Sequence, residues 1–264
     1  MIQLTMQKIT EHIYRFNENG PDMNVDAFLV IGSKKAIMID GLMQAEGLYS
    51  MVRNCTNLPL EMIVLHGHLD HAGNGTKEFM DAGCKIYMSP LDYPLLKEFS
   101  LFYPKDAFCW LTGTEHFSLG GITLQTIPVP GHTKGSLSLY SPELDALFCS
   151  DCIGSGDVWL WLPHSLPLHE YHNSLVNLLD FLNQHPSTHI YTGHLWQLPA
   201  KETVSVPYTD IAYVKELLKL TDDIISGQKR GHKIDTPFAG FHVNEVRVVS
   251  GDLIFAYTYS PDQI

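Results

Sequence analysis

Four side chains that can ligate metals, His66, His68, Asp70 and His71, fall within six residues directly after an apolar run from Met62 to Leu65. The run reads as a buried strand, so the donors arrive where the strand gives out. Imidazole and carboxylate are the groups that borderline ions such as zinc accept. Donors at i, i+2, i+4 and i+5 cannot all converge from one face of a strand or helix. A loop turning at the strand end is needed, and Gly67, Gly73 and Gly75 supply it. A histidine-rich surface loop is the plainer alternative. Four grouped donors weigh against it, and later segments add His132 in VPGHTKGS, Asp151 in FCSDCIG and His194 in YTGH.

The string HGHLDH resembles the H-x-H-x-D-H signature of the metallo-β-lactamase-fold superfamily of metal-dependent hydrolases, and the later donors follow in that family's order. The resemblance covers about residues 10 to 200. It implies an α/β fold, a four-layer αββα sandwich of two mixed β-sheets with helices outside, formed as one domain over residues 1–264. It also implies two divalent metal ions, zinc first, with manganese or iron as alternatives. His66, His68 and His132 would hold one ion, Asp70, His71 and His194 the second, and Asp151 would bridge them. A bridging hydroxide would then attack an electrophilic carbonyl, because bound ions lower the pKa of water from about 15.7 toward about 7. Asp70, besides ligating, is expected to hold that hydroxide and to shuttle a proton to the leaving group.

Substrate signals are weaker. Gly154 stands where the acyl-homoserine lactonases of this superfamily place a Tyr, and the tail has no basic cluster like that of the glutathione thioesterase. His68 occupies the position at which flavodiiron proteins carry Glu. The reading is a hydrolase of a small ester, thioester, lactone or amide. The alternatives are a mononuclear iron enzyme of the persulfide-dioxygenase type, a phosphodiester hydrolase, and a regulatory protein that keeps metals without turnover.

Composition narrows the partners. A formal charge of −12 with only 17 Lys and Arg among 264 residues disfavours a surface that tracks phosphates, so no nucleic-acid partner is expected. No apolar stretch is long enough to span a membrane and no export signal is visible, which predicts a cytoplasmic protein. Five cysteines fit reduced thiols better than a disulfide frame. The C-x-x-C pair Cys149 and Cys152 reads as structural rather than redox-active, with Cys152 a weak candidate for metal proximity. Oligomeric state is left open.

Strands are predicted over 13–16, 26–31, 35–40, 61–65, 84–88, 122–127, 137–140, 146–149 and 188–192, with a hairpin from 245 onward. Helices are predicted over 43–55, 74–82, 91–99, 171–183 and 207–226. Asp40, followed by Gly41, reads either as a turn former or as a carboxylate that orients a ligand histidine through its far nitrogen. Phe102, Tyr103, Phe108 and Trp110 read as a satellite core or a substrate wall. Residues 153–169 read as a long functional loop in which Trp159 and Trp161 either line a pocket or plug the underside. His164, His169 and His172 receive no metal role.

Overall fold

A computed structural model describes residues 2–20, 23–197, 208–238, 241–250 and 253–258. The first half of the chain builds β1 (Gln3–Lys8), β2 (Ile13–Asn19), β3 (Asn24–Ile31), β4 (Ala36–Ile39), α1 (Leu48–Cys55), β5 (Leu60–Ile63), α2 (Leu69–Ala72), α3 (Asn74–Asp81), β6 (Ile86–Met88), α4 (Tyr93–Glu98) and β7 (Phe108–Trp110). Then come β8 (His116–Ser118), β9 (Thr123–Pro128), β10 (Leu137–Ser141), β11 (Ala146–Ser150), β12 (Asp157–Leu160), α5 (Leu168–Gln184), β13 (His189–Thr192), α6 (Ile211–Ile225), β14 (His232–Phe238), β15 (Phe241–Ser250) and β16 (Leu253–Thr258). Strands β1 to β7 lie side by side in chain order, antiparallel through β4 and parallel from β4 onward. A second mixed sheet has the order β13-β11-β10-β9-β8, its β13 running parallel to β11. A third, four-stranded sheet, β12-β16-β15-β14, adds to the two that were expected.

The layers follow from strand alternation, because successive side chains point to opposite faces. In β3, Val25, Ala27 and Leu29 face Leu48 and Val52 of α1 and Phe79 of α3. Phe28 and Val30 face the other way, into a core shared with Leu139, Phe148 and Tyr191 of the second sheet. The Phe28 and Phe148 rings lie 5.5 Å apart. On the far side of that sheet, Leu147, Cys149 and Ile190 pack against Leu175 and Leu178 of α5 and Val214 and Leu217 of α6. Helix, sheet, sheet and helix are therefore stacked in that order, as the αββα expectation requires. Strands buried on both faces read as continuous apolar runs, which is why they were legible.

Several elements differ from the sequence expectation. The helix expected from residue 43 begins at Leu48. The buried Glu18 carboxylate accepts the backbone N–H groups of Met43, Gln44 and Ala45 at 2.9–3.0 Å, holding that segment outside the helix. Residues 90–92 form a 3₁₀ turn before α4, with the Ser89 hydroxyl accepting from the Leu91 N–H. The stretch 100–115 contains β7, whose Phe108 and Trp110 pack with Tyr93 and Tyr103 in the first helix-sheet core, whereas Phe102 is exposed. The 153–169 loop contains β12, which pairs with the distant β16. The last predicted helix starts at Ile211 behind an Asp210 cap; residue 207 lies outside the described residues. The tail hairpin pairs β15 with β16, its turn at 251–252 also lying outside them. Among the described residues no helix is long and apolar enough to cross a membrane.

Candidate metal centre

Strand ends deliver the donors to one place. Past β5 come His66 and His68, and the short helix α2 presents Asp70 and His71. His132 follows β9, Asp151 stands one residue past β11, and His194 stands two past β13. Their donor atoms form two groups, His66, His68 and His132 in one, and Asp70, His71, Asp151 and His194 in the other, each group's atoms lying within 4.8 Å of one another. Asp151 Oδ2 sits between them. It lies 3.1 Å from His194 Nε2 and 3.4 Å from His71 Nε2 on one side, and 3.9 Å from His132 Nε2 and 4.0 Å from His66 Nε2 on the other. Asp70 Oδ2 is 3.3 Å from His194 Nε2. All seven predicted residues are thus brought together. Cys152 belongs to neither group; its thiol contacts the Ser138 hydroxyl at 3.2 Å in the outer core. His172 pairs instead with Asp222.

The ring nitrogens that point away from the centre are mostly occupied. His71 Nδ1 donates to Asp40 Oδ2 at 2.9 Å, while Asp40 Oδ1 accepts the Leu65 N–H at 2.8 Å. Asp40 therefore takes the orienting role considered for it. His132 Nδ1 donates to the Trp159 carbonyl and His194 Nδ1 to the Asn24 carbonyl, both at 2.7 Å. Such bonds orient the rings with Nδ1 outward and Nε2 toward the centre, where His132 Nε2 meets His68 Nδ1 at 2.8 Å and His194 Nε2 meets Asp151 Oδ2 at 3.1 Å. Trp161 is buried with Leu162, and Trp159 packs against them, so Trp161 plugs the underside of its loop.

Packing is close around the carboxylates. A Cβ at position 193 would stand 2.3 Å from Asp151 Oδ1 and 2.6 Å from His71 Cε1, so only glycine fits there. Asp92, which the sequence reading passed over, is fully buried and ties two donor loops together. Its carboxylate accepts the Gly67 N–H at 2.9 Å, the Thr133 hydroxyl at 2.7 Å and the Gly135 N–H at 2.7 Å. Burial pushes its pKa up, and the three donors pull against that. Ser150 is the other omission. Its Oγ lies 3.2 Å from His66 Nδ1 and 2.9 Å from His71 Nδ1, and its backbone takes a φ of 48°. A left-handed conformation costs a residue other than glycine about 1 kcal/mol.

Electrostatics separate the two groups. Burial, reinforced by neighbouring rings, holds His66 and His68 well below the usual histidine range, so both are neutral donors. Burial also acts to lower His71 and His194, but Asp151 and Asp70 overcome it; His71 is raised well above its usual value and His194 up to about 10. Asp70 is opposed by burial but drawn down to about 2, chiefly by His71. In the metal-free protein the second group is therefore an ion-paired network that holds protons at neutral pH. A cation entering it displaces them. Zinc titrated into metal-free protein in weak buffer at pH 7 is expected to release at least one proton, with affinity rising as pH rises toward 10. A pH indicator reads this directly, and a titration without proton release contradicts it.

Two buried ring nitrogens at the centre, His66 Nε2 and His71 Nε2, make no hydrogen bond, and His68 faces His132 Nε2 through its Nδ1 at 2.8 Å. Each such unbonded atom costs about 1–3 kcal/mol, so a pair of them is a liability that a cation relieves. The donor set fits divalent metals of the zinc type.

These layers and donors define a metal-dependent hydrolase. The chain belongs to the metallo-beta-lactamase superfamily, whose family profile matches residues 20–194. It is 25% identical to an acyl-coenzyme A thioesterase, MBLAC2, of Gallus gallus, over 84% of this chain and 85% of that protein. It is 34% identical to a beta-lactamase-like protein 2 homolog of Caenorhabditis elegans, over 72% of this chain and 63% of that one. The solved metallo-beta-lactamase from Pontibacter korlensis shares the fold at a TM-score of 0.65 and 19% identity, over 84% of this chain and all of that one.

Proposed function

We propose that this chain hydrolyses acyl thioesters with a binuclear zinc centre. The observation that carries the reading is the pair of donor groups facing one shared carboxylate, Asp151. His66, His68 and His132 would hold one ion, Asp70, His71 and His194 the other, and Asp151 would reach both. A complete second group favours two ions over the single iron of an oxygenase. Thioesters are favoured among carbonyl substrates because relatives over much of the chain are named as an acyl-coenzyme A thioesterase and, over 33% of it, a hydroxyacylglutathione hydrolase.

When bound, the two ions supply a Lewis acid for the carbonyl oxygen and a nucleophilic hydroxide near neutral pH. The protein's own residues do the rest. Asp40 and the carbonyls of Trp159 and Asn24 keep three imidazoles aimed inward. Asp70, its side chain 14% exposed, borders solvent while touching His194, which supports a role in passing a proton toward the leaving group. A departing thiolate makes little demand on that step, since a thiol's pKa is about 8.5, far below an alcohol's.

The test is a substrate panel: acyl-coenzyme A, hydroxyacyl-glutathione, aryl ester, lactone, β-lactam and phosphodiester, each with and without chelator. Chelator-sensitive turnover highest on a thioester is expected. Turnover confined to lactams or phosphodiesters contradicts the substrate class, and turnover that survives chelation contradicts the metal.

A further inference from the structure

We infer that Ser150 is a positioning residue, its hydroxyl locking one histidine of each donor group into a common orientation. The inference rests on the binuclear reading above and goes beyond it. Ser150 Oγ is buried and lies within hydrogen-bond distance of two ring nitrogens from different groups, His66 Nδ1 at 3.2 Å and His71 Nδ1 at 2.9 Å. With both Nε2 atoms turned toward the centre as lone pairs, the protons reside on Nδ1 and the serine oxygen accepts from both rings. His71 has a second acceptor in Asp40 Oδ2 at 2.9 Å. His66 has no other hydrogen bond at either ring nitrogen among the described residues, so Ser150 alone fixes its tautomer. Their rings lie 4.5 Å apart, and a single oxygen beneath both sets their relative tilt.

The backbone argues that the side chain is wanted for its hydroxyl. Ser150 has a φ of 48°, in the region where glycine fits without strain and other residues do not. It ends β11 immediately before Asp151, where the pairing with β13 shifts register between Phe148 and Ser150. The left-handed turn aims Asp151 at the centre, and glycine would perform that turn with less strain. Serine adds only the contact to the two rings. A residue present for the backbone alone would therefore be improved by glycine; one present for the rings would not.

That contrast is the experiment. Ser150→Gly and Ser150→Ala are compared with the parent for thermal midpoint of the metal-free protein, for zinc affinity against a competing chelator, and for the visible spectrum after cobalt substitution. Ser150→Gly is expected to keep or raise the metal-free midpoint while weakening zinc binding by about 10–100-fold, the usual effect of removing a partner behind a ligating histidine. Ser150→Ala, which keeps the strain and loses the hydroxyl, is expected to show the same loss of affinity without any gain in midpoint. Cobalt bands shifted in both variants support reoriented rings. Parent-like zinc affinity and cobalt spectrum in Ser150→Gly overturn the role of the hydroxyl while leaving the metal centre standing. A parent that binds no zinc overturns the centre itself, and the inference with it.

Discussion

Asp151→Ala is expected to lower kcat/KM on the best thioester by at least about 10³-fold, with the far-UV circular dichroism unchanged. The size follows from position. Among the described residues, Asp151 Oδ2 is the one carboxylate oxygen within 4.0 Å of histidines from both donor groups, so its loss removes the charge nearest each. A metal centre contributes several kcal/mol to the barrier, and about 4 kcal/mol corresponds to that thousandfold. The fold survives because its three apolar layers, around Phe79, Phe148 and Leu178, are built by other residues. His68→Ala and Asp70→Ala are expected to fall in the same way. Rates within tenfold of the parent for all three variants would contradict the assignment.

Metal removal is the second large effect. A chelated sample is expected to lose turnover entirely and to regain it on addition of zinc. Its thermal midpoint is expected to fall by roughly 8–16 °C. A ligand present at about 1,000 times its Kd stabilises by about 4 kcal/mol, and a chain of this size moves roughly 2–4 °C for each kcal/mol. His66 Nε2 and His71 Nε2, buried without a hydrogen bond, add to the drop, since no partner compensates them once the cations leave. Scanning calorimetry of matched samples with and without chelator reads it, and superimposable transitions would contradict it.

The seven donors were legible in the sequence because each stands just beyond an apolar strand, in a short loop whose composition has no packing explanation. Asp40 was half legible: the Asp-Gly pair announces a turn, but its contact with His71 spans 31 residues and no local pattern encodes it. Asp92 and Ser150 were not legible for a related reason. Asp92 works by accepting backbone N–H groups from loops 25 and 43 residues away, and a backbone donor leaves no trace in residue type. Ser150 sits among ordinary strand residues, and only its φ and two ring contacts distinguish it.

The fold shows the same division. The double-sided strands β3, β4 and β11 were read from continuous apolar runs, while β12 was missed because its strand partner among the described residues is β16, almost a hundred residues on. The early start expected for α1 was a local propensity overruled from afar. The helix-compatible residues Met43, Gln44 and Ala45 are held open by Glu18, from a neighbouring strand. Local pattern located the strands and their ends; the contacts that trim them come from elsewhere in the chain.

Anomalous diffraction at the zinc edge, from crystals of protein purified without added metal or soaked in zinc, puts the central claim to its most direct test. Two peaks are predicted, one enclosed by His66, His68 and His132, the other by Asp70, His71 and His194, with Asp151 reaching both. A single peak, or density placed away from these seven side chains, would contradict the account.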